Sequence, residues 1–359
     1  MLGLKVVIIG GSVAGLGLAI ALKKANKEVV IREKNSINAK PGLAFMIHSK
    51  TLKDIQSITE TPLDVSQATI DKFILVNGSG DQPQKMVLSE WYVLKRITLL
   101  KFFRDHLSDD EYVENSDFSH FKYTGDTATA AVFKDGSIEY GDLFIGADGI
   151  NSQVRQFVCK AHFFPNEINE LVCIIKHNEK FAQDQTFRKY HIKKGMSFGF
   201  IPISDNEHVW FFQFDSKLYN HLFIKNKGTV NGFESELLSE FPQDVREIIA
   251  NSDTQKAHLW INQELKLLSS YYAANVCLIG DAAHGSISLT SSGVSSGISS
   301  AIKLAEVLSY SNSLETALAK YNTFRKKENA EKIEYAKVLK DQFNSRPVRI
   351  EDYSLPLFS

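Results

Sequence analysis

A strand, a glycine-rich turn, a helix, a second strand and an acid follow one another between Val6 and Glu33, and this order constrains the fold more than any other stretch. Val6, Val7, Ile8 and Ile9 form a β-branched apolar run, the pattern of a strand buried on both faces of a parallel sheet. Gly10-Gly11-Ser12-Val13-Ala14-Gly15 comes next. Gly10 suits the sharp strand-to-helix turn, and Gly15 lets the helix lie close against the sheet. Val29, Val30 and Ile31 predict the second strand, and Glu33 stands at its end. This is a dinucleotide fingerprint: a pyrophosphate at the positive end of the helix and an acid on the ribose hydroxyls. Ser12 departs from it by replacing the middle glycine, where the backbone comes closest to the pyrophosphate, but its hydroxyl can donate to a phosphate oxygen. An ordinary βαβ start would need the turn but not the acid in register. The segment alone leaves NAD and FAD both open.

The chain has 359 residues, enough for two domains and a large core. A net charge of −1 gives no electrostatic case for nucleic acid. The apolar run from Val6 to Leu22 imitates a signal or membrane segment, yet its glycines are explained by the turn. No membrane span is expected, and the expected location is cytoplasmic. Cys159, Cys173 and Cys277 are odd in number and widely spaced, which suits buried free thiols in a reducing compartment better than a metal site; no metal is expected.

Further along, Lys34 to Pro41 reads as loop, with Lys40 and Gly42 placed to return toward a bound nucleotide, and Ser49 to Ile58 as a short helix. Phe73 to Val76 and Met86 to Leu88 flank an Asn-Gly-rich break and predict a hairpin. Arg96 opens a helix with the apolar stripe Leu99, Leu100, Phe102, Phe103 and Leu107. Thr127 to Tyr140 predicts a hairpin about Asp135-Gly136. Ser197 to Ile203 and His208 to Asp215, joined at Asp205-Asn206, predict another. In its second strand Trp210, Phe212 and Phe214 share one face. Such a stripe is usually core, and Phe198, Phe200, Trp210 and Phe212 are also the candidate walls of a substrate pocket. Phe223 to Ala257 reads as more helical and charged, a cover for one side of that sheet, and Leu314 to Phe343 as one long amphipathic helix or two abutting ones.

Glycine-acid turns follow apolar strands three times, at Gly10 to Gly15, at Gly146 to Gly149 and at Gly280-Asp281. One NAD domain needs only the first; three suit a ligand as long as FAD. From Val6 to about Phe343 the order and wording of these motifs resemble the class A flavoprotein monooxygenases, the group of para-hydroxybenzoate hydroxylase, salicylate hydroxylase and the tetracycline-inactivating monooxygenases. The most specific piece is Asp142-Leu143-Phe144-Ile145-Gly146-Ala147-Asp148-Gly149 with Ser152 and Arg155.

The resemblance implies that Gly10, Ser12, Gly15 and Glu33 hold the ADP half of FAD. It implies that Arg96 lies near the phosphates and ribityl chain, and that Asp148 and Gly149 serve the pyrophosphate and the reduced nicotinamide. Asp281 would bind a ribityl hydroxyl, and the helix at Gly293 would face the flavin pyrimidine and stabilise negative charge there. The implied chemistry is flavin-borne: NADPH or NADH reduces FAD, O2 forms a C4a-hydroperoxide, and one oxygen passes to a planar aromatic or polyketide-like substrate, with no catalytic side chain required. His284 is given a packing or hydrogen-bonding role.

Three features depart from the family pattern. Gly285 to Ser292 lacks the usual proline, Ser295 and Ser300 replace an asparagine and an aspartate, and Lys40 stands where many members have arginine. These changes bear more on hydroxylation than on FAD binding. Competing readings therefore remain: an FAD-dependent oxidase, reductase or halogenase of the same fold, or a flavin-binding protein with little turnover. Trp210 and Trp260 are isolated, without the Trp-x-Trp-x-Ile-Pro wording of halogenases.

The expected architecture is α/β: a Rossmann-like FAD-binding domain from residues 1–70, 94–168 and 268–345. An inserted antiparallel β-sheet substrate domain comes from 71–93 and 169–267, with a long C-terminal helix and a tail over 346–359. A monomer or homodimer is expected.

Overall fold

The computed structural model describes residues 3–39, 44–65, 69–78, 82–176, 184–204, 207–219, 223–226, 229–233, 239–285, 288–345 and 349–351. Lys40, Gly42, the Asp205-Asn206 turn, Ser286-Ile287 and most of the 346–359 tail lie outside them.

Two sheets carry the molecule. The first is built on β1 (Lys5–Ile9), whose Val6, Val7 and Ile8 have no exposed surface, as a central parallel strand requires. It pairs in parallel with β2 (Glu28–Arg32) on one side and with Leu143–Gly146 on the other, Ile8 lying opposite both Ile31 and Ile145. Tyr112–Val113 extends the β2 edge, and Val276–Leu278 with Tyr272–Ala273 extends the other. The strand order therefore reverses between β1 and Leu143–Gly146, a switch point where open α/β sheets bind ligands. The Ala147 amide donates to the Ile9 carbonyl at 2.8 Å, which joins the first two glycine turns across that point.

Helix α1 (Val13–Lys24) packs against a later helix, Gly293–Tyr310, through small residues. A Cβ on Gly297 would sit 3.2 Å from the Ala14 Cβ, and one on Gly17 the same distance from Ile298. The Phe118–Thr124, Thr127–Phe133 and Ile138–Tyr140 strands form a separate sheet whose Phe121 meets Phe144 edge-on, with ring centroids 5.2 Å apart. The hairpin about Asp135-Gly136 is thus present, Gly136 adopting φ +84°.

The second sheet has eight strands in the order His258–Trp260, Ile168–Lys176, Glu207–Asp215, Met196–Ser204, Thr186–Lys193, Thr69–Asn77, Gln84–Lys95, Ala44–His48. It is antiparallel except where Thr186–Lys193 meets Thr69–Asn77. Phe223 to Ala257 is less helical than its composition suggests. Phe223–Asn226 and Thr229–Phe233 form an antiparallel ribbon, and among the described residues the longest helix of this stretch is Gln243–Ala250. That helix lays Val245, Ile248 and Ile249 on the aromatic face of the sheet.

Leu314–Phe343 is one helix of 30 residues, roughly 45 Å at about 1.5 Å per residue. The Tyr321 hydroxyl donates to the Leu278 carbonyl in the first sheet, at 3.2 Å, and the Phe343 carbonyl accepts from Gly195 beside the second, at 3.0 Å. The helix is a strut that fixes the two sheets against each other. Among the described residues no helix is long and apolar enough to cross a membrane.

Candidate functional site: a dinucleotide cradle facing a polar-floored cavity

The first turn is set by close packing. Gly10 has φ +112°, and a Cβ on it would lie 2.4 Å from the Ala147 carbonyl oxygen; on Gly15 it would lie 2.2 Å from that of Gly10. Neither distance admits a side chain, so strand, turn and helix close tightly only with glycine at both places. Ser12 caps α1, its hydroxyl accepting from the Gly15 amide at 3.2 Å while its proton stays available to a ligand. Glu33 reaches back over the turn: Oε2 accepts from the Gly11 amide at 2.6 Å and Oε1 from Asn35 at 2.9 Å.

In the second turn Asp148 is half-buried, and desolvation of its carboxyl pushes its pKa upward. Its Oδ2 accepts from Gln153 at 2.7 Å and Val154 at 3.1 Å, whereas its buried Oδ1 has no hydrogen-bond partner among the described residues. Gly149 has φ +79° with open space where a Cβ would stand. Arg155 faces inward: it donates to the carbonyls of Ile150 at 2.9 Å, Ala282 at 3.2 Å and Ala161 at 3.2 Å, tying the second turn to the third.

The third turn is entered through Gly280, at φ 59° and ψ −148°, a conformation open essentially to glycine alone. Solvent reaches Asp281, but the walls around it raise its carboxyl while the Arg96 guanidinium pulls it down. A Cβ on Gly293, at the start of its helix, would be 4.0 Å from Asp281 Oδ1. Arg96, Asp281 and the Gly293 helix end, far apart in sequence, therefore meet. These features fit FAD on the molecule's own terms: a side-chain-free cradle, an orphaned buried carboxylate oxygen, and a helix end beside an acid.

His284 lies behind this loop. Ser300 Oγ donates its one proton to the Ser296 carbonyl at 2.7 Å, so the contacts from Arg325 at 3.0 Å and His284 Nε2 at 2.9 Å must both donate to it. The imidazole is thus the neutral Nε2–H tautomer, and burial next to Arg325 and Lys332 holds its pKa well below the usual value. The protonless Nδ1 and the cationic neighbours suit a structural role.

The aromatic residues expected as pocket walls are elsewhere. Phe198, Phe200, Trp210 and Phe212 have no exposed surface and pack beneath the Gln243–Ala250 helix, where Trp210 Nε1 donates to Ser252 Oγ at 2.8 Å. The two-residue period of a strand sends their neighbours to the opposite face. There Phe187, Lys189, Ser197, Phe211 and Gln213 line a cavity of about 370 Å³, which Glu170 also borders. Leu289, Gly293 and Val294 form its boundary toward the glycine-acid turns. Gly199 matters here because a Cβ would fall 2.1 Å from the Phe211 ring, so the ring lies flat across the glycine. Reading the sequence by aromatic content missed Lys189, Glu170 and Gln213. The available signal was three polar side chains in mid-strand, in phase with Phe187 and Phe211 and out of phase with the aromatic stripe Trp210, Phe212 and Phe214. A second cavity, about 420 Å³, lies behind the loop between Ala283 to Gly285 and the long helix.

Comparison with known proteins agrees with this geometry. Residues 3–334 match the family described as FAD binding domain. The chain belongs to this family, that of the class A flavin aromatic monooxygenases, and is an FAD-dependent monooxygenase and flavoprotein of that type. It is 24% identical over 340 residues to the aurachin C monooxygenase/isomerase of Stigmatella aurantiaca, covering 90% of this chain and 85% of the relative. Its fold superposes on HpxO of Klebsiella pneumoniae, solved with FAD and uric acid, with TM-score 0.81 at 18% identity, covering 96% and 89% of the two chains. It also superposes on PqsL of Pseudomonas aeruginosa, solved with 2-aminobenzoylacetate, with TM-score 0.80 at 20% identity, covering 96% and 97%.

Proposed function

We propose that the chain hydroxylates a planar aromatic or polyketide-like small molecule, using O2 and NADPH or NADH. The observation that carries this reading is the cavity of about 370 Å³ bounded by Gly293 and Val294 on one side and by the polar-floored sheet on the other. It is the size of a drug-like ligand site and opens where a flavin ring held by the three turns would lie. The name of one relative, aurachin C monooxygenase/isomerase, supports oxygen transfer to a small organic molecule.

In this reading the FAD domain is discontinuous, over 1–70, 94–168 and 268–345, and 71–93 with 169–267 supply the substrate side. Gly10, Ser12 and Gly15 hold the pyrophosphate, Glu33 the adenosine ribose, and Asp148 and Gly149 the pyrophosphate and the approaching nicotinamide. Arg96 and Asp281 flank the ribityl chain, and the Gly293 helix end stabilises negative charge on the ring. Bound there, FAD supplies the redox and oxygen chemistry. The protein orients the substrate against Phe187 and Phe211 and keeps water from the reacting face.

The test is turnover of a panel of planar aromatic compounds by the FAD-loaded protein with each nicotinamide. A product heavier by one oxygen atom, drawn from isotopically labelled O2, is expected. The proline-free loop at Gly285 to Ser292 favours a second reading, an oxidase or reductase of the same fold. Consumption of reduced nicotinamide with no oxygen in any organic product would favour it.

A further inference from the structure

Lys189 sits mid-strand with 5% of its surface exposed, on the cavity face between Phe187 and His191. Its Nζ donates to Gln213 Oε1 and stands 4.8 Å from the centre of the Phe211 ring. Ser197 Oγ donates to the same Gln213 oxygen at 3.2 Å, which fills both of its acceptor sites. Gln213 Nε2 donates to Glu170 Oε2 at 2.6 Å. An amine and a carboxylate are thus joined by one amide across the successive strands Ile168–Lys176, Glu207–Asp215, Met196–Ser204 and Thr186–Lys193, and every member of the cluster borders the cavity.

A lysine at such a place is costly when charged, and a purely structural strand would take an apolar residue, as Val209 and Ile201 do on the same face. Burial lowers the Lys189 pKa from the usual lysine range, and Glu170 partly restores it. The amine can therefore exist without its proton at physiological pH, and the nearby carboxylate strengthens it as a base.

We propose that Lys189 is the group that anchors, and takes the proton from, an acidic O–H on the substrate ring. The inference rests on the monooxygenase reading above. The O–H bond breaks, its electron pair stays on oxygen, and the proton forms the ammonium of Lys189. The ammonium and oxyanion then pair inside the cavity, and net charge is conserved. An oxyanion enriches the ring carbons ortho and para to it, which suits a substrate that must act as a nucleophile toward oxygen. Gln213 and Glu170 are positioning residues that fix the amine's direction, and Phe211 offers its face to the resulting cation.

The experiment uses FAD-loaded protein and two probes of the same shape, 2-naphthol and 2-methoxynaphthalene, followed by calorimetry and by the ultraviolet spectrum of the bound probe. Naphthol is expected to bind roughly tenfold or more tightly than its ether, the range for a charge-assisted hydrogen bond, and to show its anion spectrum below its solution pKa. Lys189→Met, and independently Lys189→Gln, should abolish both the preference and the anion spectrum while retaining FAD and the ether. Gln keeps a donor for Gln213, so that one variant remains interpretable if the other fails to fold. Equal binding of the two probes, binding of neither, or an unchanged anion spectrum in either variant overturns the proposal. Failure to bind FAD at all contradicts instead the reading on which it rests.

Discussion

The carboxylate of Glu33 accepts a hydrogen bond from the Gly11 amide at 2.6 Å, so the acid that ends the second strand lies directly over the turn that ends the first. In the proposed reading one side chain both shapes the glycine turn and offers the adenosine ribose an acceptor. Glu33→Ala should weaken FAD affinity by about tenfold to a hundredfold, as expected for losing a charged hydrogen-bond acceptor. Glu33→Gln should weaken it less. Equilibrium dialysis with FAD checks both, and unchanged affinity in the alanine variant would remove the assignment.

The glycines of the turns should respond differently to alanine. A Cβ at Gly15 meets the Gly10 carbonyl oxygen at 2.2 Å, so Gly15→Ala should cost about 2 kcal/mol or more in stability. Gly149 has open space, and Gly149→Ala should cost only the roughly 1–2 kcal/mol of a left-handed backbone. Denaturant unfolding of the two variants gives the comparison.

Phe211 and Gly199 form a coupled pair across neighbouring strands, because the ring occupies the space of the missing side chain. Gly199→Ala alone should destabilise the protein and distort ligand binding in the cavity. Adding Phe211→Ala should recover part of that loss, giving a non-additive double-mutant cycle with a coupling of about 1 kcal/mol or more. Strict additivity would argue against the contact.

Much of the cofactor side was legible in the sequence because each of its turns is local. Gly10, Gly280 and the acids beside them are read from a few consecutive residues that alternate between apolar strand and glycine. The substrate side was not. Strand periodicity sorts Trp210 and Phe212 from Phe211 and Gln213, but which set faces the cavity depends on the Gln243–Ala250 helix, more than 30 positions away. That helix took the aromatic face, and the cavity was left with the face carrying Lys189 and Glu170. The Phe223 to Asn226 ribbon was misread for a related reason, since local charge content says little about strand pairing.

That inversion predicts opposite consequences for adjacent residues. Phe212→Ala should cost about 3–5 kcal/mol in stability, as for a fully buried ring. Phe211→Ala should act mainly on the binding of aromatic ligands. Melting curves and ligand titrations of the FAD-loaded variants separate these effects.

Glu167 ties the strut helix to the substrate side, bonding Lys217 and Lys340 at 2.8 Å each. These lysines, Lys217 foremost, hold its carboxyl down at about 2 in the folded protein. Its unfolded value is about 4.3, so its contribution to stability is fully present above that pH and is lost as pH falls through about 2. The melting-temperature gap between the natural protein and Glu167→Gln should therefore narrow on acidification across that window. A gap that widens as pH falls would refute the assignment.

The most direct test of the whole account is the visible absorption spectrum of the purified protein supplied with FAD, recorded before and after anaerobic addition of NADPH. Flavin bands that stay with the protein through gel filtration, and bleach when the nicotinamide is added, are the predicted result. A protein that remains colourless and takes up no FAD would contradict it.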